Sequence, residues 1–251
     1  MERFMETRAD GTARRTGLGG ERALYLSLAI AFLAAVLLGF SRTFFLRPWF
    51  PERHVPPEPF FIFHGAVFTT WFVLLVLQSS LVAGGRVRWH RRVGAAGVGV
   101  AAAVFLLGIY GAMIAAARPD GFVDTSTPPD VFLVSPIADI VNFALFATLA
   151  FVRRRDLQAH KRLLLLASLS MLTAAIGRWP GLETAGVWIY DGITDLFLLP
   201  LVIWDLRSRG SLHPATLWGS LWLAVSQALR WKFAHTALWL GIADGAIAAF
   251  R

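Results

Sequence analysis

Long apolar stretches alternate along this chain with short polar ones rich in proline, glycine and arginine. About 20 apolar residues are needed to cross roughly 30 Å of hydrocarbon at 1.5 Å per residue. Windows of that kind fall at 23–45, 60–83, 94–117, 131–152, 162–178, 185–204 and 214–240. The pattern predicts an all-α fold, a seven-transmembrane-helix bundle forming one domain over 21–251. The connectors at 47–59, 118–130 and 207–214 are made of turn residues and are too short for an extramembrane domain. Residues 1–20 carry too little apolar surface to fold alone and are expected to be a disordered cytoplasmic tail. The apolar run after them is too long for a signal-peptide core and is read as a retained helix.

Composition agrees with a membrane protein: 56% of the 251 residues are hydrophobic and 16% charged, which excludes an ordinary water-soluble fold. With no cysteine, disulfides, thiolate nucleophiles and iron–sulfur clusters are excluded, so histidine and carboxylates must carry any metal. The net charge of +8 would suggest nucleic acid in a soluble protein; in a bundle it reports topology. Sixteen of the 24 Lys and Arg fall in 1–22, 84–93, 153–162 and 205–213, on one side of the predicted bundle. The positive-inside rule then places the N-terminus in the cytoplasm and the C-terminus outside, with the lipid bilayer as partner and no nucleic acid.

Ionisable residues inside spans are costly and tend to face a bundle interior or a wet cavity. Counted from the predicted outer ends, His64 lies about 6 Å deep, Asp191 about 9 Å, Asp139 about 12 Å and Asp195 about 15 Å. Arg178 caps the fifth helix on that side, and Arg230 reaches the same outer third from below. Asp191 and Asp195 share a face at i, i+4, as do Ser135, Asp139 and Asn142. Gln78 is the main polar landmark of the inner half. The outer set predicts a polar pocket suited to a cation, a lipid or quinone head group, or a solvated metal. The other reading of the same residues is interhelical glue, with the arginines simply paired to the aspartates. In the third helix, Ala95, Gly99 and Ala103 at i, i+4, i+8 predict close approach of neighbours and a central place in the bundle.

On the cytoplasmic side, His90, His160 and His213 each end an inner turn. Converging, they would make a three-histidine metal site with an open position; as interfacial residues beside arginine and lysine they would be anchors and phosphate contacts. For haem, only His64 with His235 offers two histidines at similar depth. Motifs of hydrolases, desaturases and zinc proteases are absent, so no sequence pattern argues for enzyme activity.

The ordered set His64-Gly65, Trp71, Gln78, His90-Arg91-Arg92-Val93-Gly94, His160-Lys161-Arg162-Leu163, Arg178 and His213-Pro214-Ala215-Thr216 resembles an uncharacterised family of bacterial multi-pass inner-membrane proteins. The likeness spans about 23–243. It implies an inner-membrane location and singles out His64, Gln78, His90, His160 and Arg178, without a reaction. Three expectations follow. The first is a small ligand or cofactor in a periplasm-facing pocket built from His64, Asp139, Asn142, Arg178, Asp191, Asp195 and Arg230, with Gln78 below. The second is a redox or metalloprotein using the histidines with haem or a metal. The third is a structural or assembly factor for a membrane complex.

Overall fold

The computed structural model describes residues 2–251 except 51–57, 120, 123, 124, 126 and 183, with side chains from residue 19 onward. The side chains of Arg3, Arg8, Arg14 and Arg15, four of the sixteen cations on the basic side, lie outside that set. The described residues form helices α1 (Glu2–Gly39), α2 (Pro59–Ala83), α3 (Val87–Ala117), α4 (Pro129–Phe132), α5 (Val134–Val152), α6 (Leu157–Leu169), α7 (Leu172–Ile176), α8 (Val187–Leu196), α9 (Leu199–Arg209), α10 (Pro214–Phe233) and α11 (Ala237–Phe250), with no strand among them. The expected tail lies mostly outside the described side chains; the backbone there continues α1.

Among the described residues, six stretches are long and apolar enough to cross a membrane: Gly19–Gly39, Pro59–Ala83, Val87–Ala117, Pro129–Val152, Leu157–Ile176 and Val187–Arg209. The seventh expected span is broken: α10 and α11 form one apolar run bent by 83°. The protein is therefore a multi-pass helical membrane bundle, with six candidate spans among the described residues, or seven if the bent pair counts as one.

Local chemistry sets the helix ends. Pro59, Pro129 and Pro214 begin helices where a missing N–H costs nothing. Asp156 caps α6, its Oδ1 accepting from Gln158 N and Ala159 N at 3.0 Å each. Those two N–H groups, Ala159 first, hold the Asp156 carboxyl below the usual carboxylate range. His213 caps α10 by accepting from Ala215 N at 3.0 Å, and Thr236 caps α11 by accepting from Trp239 N at 3.3 Å. Gly210, at φ 72°, closes α9 in the left-handed conformation that a side chain resists.

The central span is not α3, as its small residues suggested, but α6 with α7: 78% of that span is buried, against 33% for α3. The reason lies in which glycines face neighbours. Gly99 has nothing within 4 Å of where a Cβ would stand, whereas a Cβ on Gly108 would meet Ile140 of α5 at 2.6 Å and one on Gly97 would meet Leu74 of α2 at 3.3 Å. Close approach therefore runs through Gly97, Ala101 and Gly108, which are buried, and the expected Ala95–Gly99 face is exposed. Around α6, the core gathers Phe32 of α1, Phe72 of α2, Phe143 and Phe146 of α5 and Leu201 of α9. Each apolar side chain of this size is worth about 1.5–3 kcal/mol when withdrawn from water, but within lipid the same contacts act through packing.

Candidate functional site

Three helices that are distant in sequence bring one polar centre together at the end of the bundle opposite the basic turns. Helical spacing aims Asp139 and Asn142 inward from α5, Asp191 and Asp195 from α8, and Ser226, Gln227 and Arg230 from α10. Arg230 is the hub. Its guanidinium donates to Asp139 Oδ1 at 2.5 Å and to Asp191 Oδ1, so one cation joins α5, α8 and α10. Asp191 also accepts from Thr173 Oγ1 of α7 at 3.4 Å. Asp195 does not touch the guanidinium; it accepts from Gln227 Nε2 at 3.1 Å. Alongside, Asn142 donates to Ser226 Oγ and accepts from Trp222 Nε1, both at 2.9 Å.

Asp139, Asn142, Thr173, Asp195, Gln227 and Arg230 line a cavity of about 10 Å³. On the same scale one water needs about 10–15 Å³, so the closed centre holds no more than a water-sized guest. Arg230 is buried, and its Nε has no hydrogen-bond partner among the described residues. Two features define the electrostatics: three carboxylates lie around one guanidinium, and while two of them bond it directly, the third, Asp195, takes its side-chain hydrogen bond among the described residues from a neutral amide.

Of the residues expected to share a pocket, the structure assembles Asp139, Asn142, Asp191, Asp195 and Arg230. His64, Arg178 and Gln78 stand elsewhere. The His64 ring stacks on Phe68 with centroids 4.1 Å apart, and its Nδ1 faces Leu107 O of α3 at 3.2 Å. Arg178 lies over the Phe40 ring at 5.1 Å and donates to Ala174 O at 2.6 Å. Gln78 belongs to the basic end. Its amide donates to His90 Nδ1 and to His90 O at 3.0 Å, while its oxygen accepts from Gly94 N at 3.0 Å.

The three turn histidines share one end of the bundle, at the starts of α3, α6 and α10. They do not form a ligand set: no group of three His, Asp or Glu among the described residues is arranged to hold a metal. Hydrogen bonding gives the reason. A metal-binding imidazole normally donates its second N–H to a carbonyl or carboxylate, leaving a lone pair for the ion. His160 fits, with Nδ1 donating to Ala150 O at 2.8 Å. His90 and His213 instead accept at Nδ1, from Gln78 and from Ala215 N, which puts the remaining proton of the neutral ring on Nε2. Burial first, then Arg162 and Arg209, holds His213 below the ordinary imidazole range and keeps that neutral form. The suggested haem pair is not brought together either: His64 packs among Phe60, Phe61 and Phe68, while His235 sits at the α10–α11 bend against Trp231.

A second buried charge centre escaped the sequence reading. Arg162 and Asp205 are both 0% exposed and paired. Asp205 also accepts from Thr216 Oγ1 at 2.6 Å and from His213 N at 3.0 Å, while Arg162 donates to Gln158 Oε1 at 2.5 Å and Gln158 O at 3.0 Å. This knot ties α6, α9 and the start of α10. Arg162 opened one predicted span and Asp205 followed another, positions where hydration rather than pairing is expected. Gln227 and Thr173 were missed as neutral residues in apolar helices; the spacing of Ser226, Gln227 and Arg230 on α10 was the available signal. Comparison with protein-family models, curated proteins and solved structures gives no match for this chain.

Proposed function

We propose that this multi-pass protein resides in a bacterial inner membrane with its N-terminus in the cytoplasm and its C-terminus outside, and binds a small cationic ligand at the Arg230 centre from the periplasmic side. The observation that carries the reading is the charge count. Glue between helices is complete with matched pairs, yet Arg230 already bridges Asp139 and Asp191 while Asp195 adds another carboxylate on the cavity. Surplus negative charge in a low-dielectric interior is expensive, so the site gains from a counter-charge: a metal cation, a protonated amine or a proton with its water. The α8 and α10 sides of the centre are joined by side chains, Gln227 to Asp195 and Arg230 to Asp191, and this seam is the natural route of opening for a guest larger than water.

The test uses the purified protein and a panel of sodium, potassium, magnesium and protonated amines, followed by thermal melting. At a concentration of about 100 Kd a ligand specific for the folded state adds about 2.7 kcal/mol. One member of the panel is expected to raise Tm saturably, with the effect reduced by Asp195→Asn and abolished by Asp191→Asn/Asp195→Asn. Equal shifts in wild type and double variant would contradict the site.

A further inference from the structure

We infer that the basic end of the bundle is a docking surface for the headgroups of anionic phospholipids. The turns at 84–86, 153–156 and 210–213 all lie at this end, as does the Glu21 region of α1, where Glu21 pairs with Lys161 at 2.5 Å. Among the described residues three acids at this end are already engaged: Glu21 on Lys161, Asp205 on Arg162, and Asp156 on the α6 N–H groups. The arginines of the turns, Arg86, Arg88, Arg153, Arg155, Arg207 and Arg209, are exposed. The exposed charge on the described residues of this end is therefore predominantly positive.

What distinguishes lipid from a soluble acidic partner is the company these cations keep. Trp89 is 54% exposed between Arg88 and His90, Val152 is 67% exposed beside Arg153, and Trp218 is 65% exposed one turn into α10. Arg92 stands 5.3 Å over the Trp89 ring, pairing cation with indole. Bare apolar and aromatic groups at the same level as cations suit a surface where hydrocarbon gives way to phosphate. Phosphate oxygens accept from the guanidinium forks, and acyl chains cover the tryptophan and valine surfaces.

The experiment reconstitutes the full chain in mixed phosphatidylcholine and phosphatidylglycerol nanodiscs and quantifies the lipid retained on extraction. Phosphatidylglycerol is expected to be enriched about five-fold or more over its bulk fraction, the factor one cation near the headgroups supplies. Enrichment should fall toward the bulk ratio in Arg88→Gln/Arg153→Gln/Arg155→Gln/Arg209→Gln and at raised salt on the wild type, and persist when the same four are changed to lysine. A bulk lipid ratio around the wild type, or enrichment indifferent to both salt and the glutamine variant, would overturn the proposal. So would displacement of the lipid by a soluble acidic polypeptide at equal charge concentration.

Discussion

Arg162 and Asp205 show how much rests on single residues. A buried ion pair is weak support as a pair but strongly destabilising when broken, because removal of one partner strands the other charge. Arg162→Met or Asp205→Leu alone is expected to cost about 3–5 kcal/mol, while the double substitution recovers the part due to the stranded charge but not the part due to Thr216 Oγ1 and His213 N losing their acceptor. Denaturant titration of the four proteins checks this; additive losses would show that the two do not act as one unit. His213 makes a pH-dependent prediction. Its neutral ring accepts from Ala215 N, and its folded value lies below the ordinary 6.5. The stability it contributes is complete above pH 6.5 and declines as pH falls through the lowered value, where the folded state resists a proton that the unfolded state takes. His213→Asn, which caps without titrating, is expected to flatten the melting profile on that acidic side; an unchanged profile would assign the acid sensitivity to another group. Histidine chemistry also marks the limit of reading residues from sequence: His90, His160 and His213 were placed correctly at one end, but which nitrogen each commits depends on Gln78, Ala150 and Ala215, partners that only folding selects.

At the scale of the element, hydropathy found the helices and misjudged their ends. Helix α3 begins at Val87 rather than 94 because its first turn is charged and leaves the apolar layer, and helical hydrogen bonding continues where hydrophobicity stops. The run at 214–240 read as one span because a bend leaves hydropathy unchanged; the helix-capping threonine, Thr236, was the local sign of a second start. The interruption at Phe197–Leu198 precedes Pro200 in the first turn of α9, in keeping with a proline-associated kink. Glycine spacing proved least transferable. A Cβ at Gly39 would strike the backbone carbonyl of Ala175, which cannot swing aside, whereas one at Gly99 meets nothing. Gly39→Ala is expected to separate α1 from α7 and cost about 1–3 kcal/mol, and Gly99→Ala to be neutral or to gain up to about 1 kcal/mol. Thermal melting in one detergent ranks the two; a comparable loss at Gly99 would mean that its face is covered.

For the whole molecule, the buried ion pairs among the described residues gather toward the two ends. Arg162 with Asp205 closes one, Arg230 with its aspartates occupies the other, and Phe143, Phe146 and Leu166 fill the layer between. The difference between the ends is balance: the first centre is paired and fully bonded, the second has more carboxylates than cations. Asp139, Asn142, Asp191, Asp195 and Arg230 were legible as a group because depth along each predicted span can be counted. His64 and Arg178 shared that depth without sharing the pocket, since depth says nothing about rotation around the bundle. The absence of cysteine from the chain makes the central claim directly testable. A single Gln227→Cys, lining the cavity, would be exposed in spheroplasts to membrane-impermeant cationic and anionic thiosulfonates, with Leu166→Cys as the buried control. Modification from outside is expected at Gln227→Cys, faster with the cationic reagent, and none at the control. Reaction at Gln227→Cys only after unfolding, or only from the cytoplasmic side, would contradict an externally accessible anionic site and leave Arg230 as a sealed link between helices.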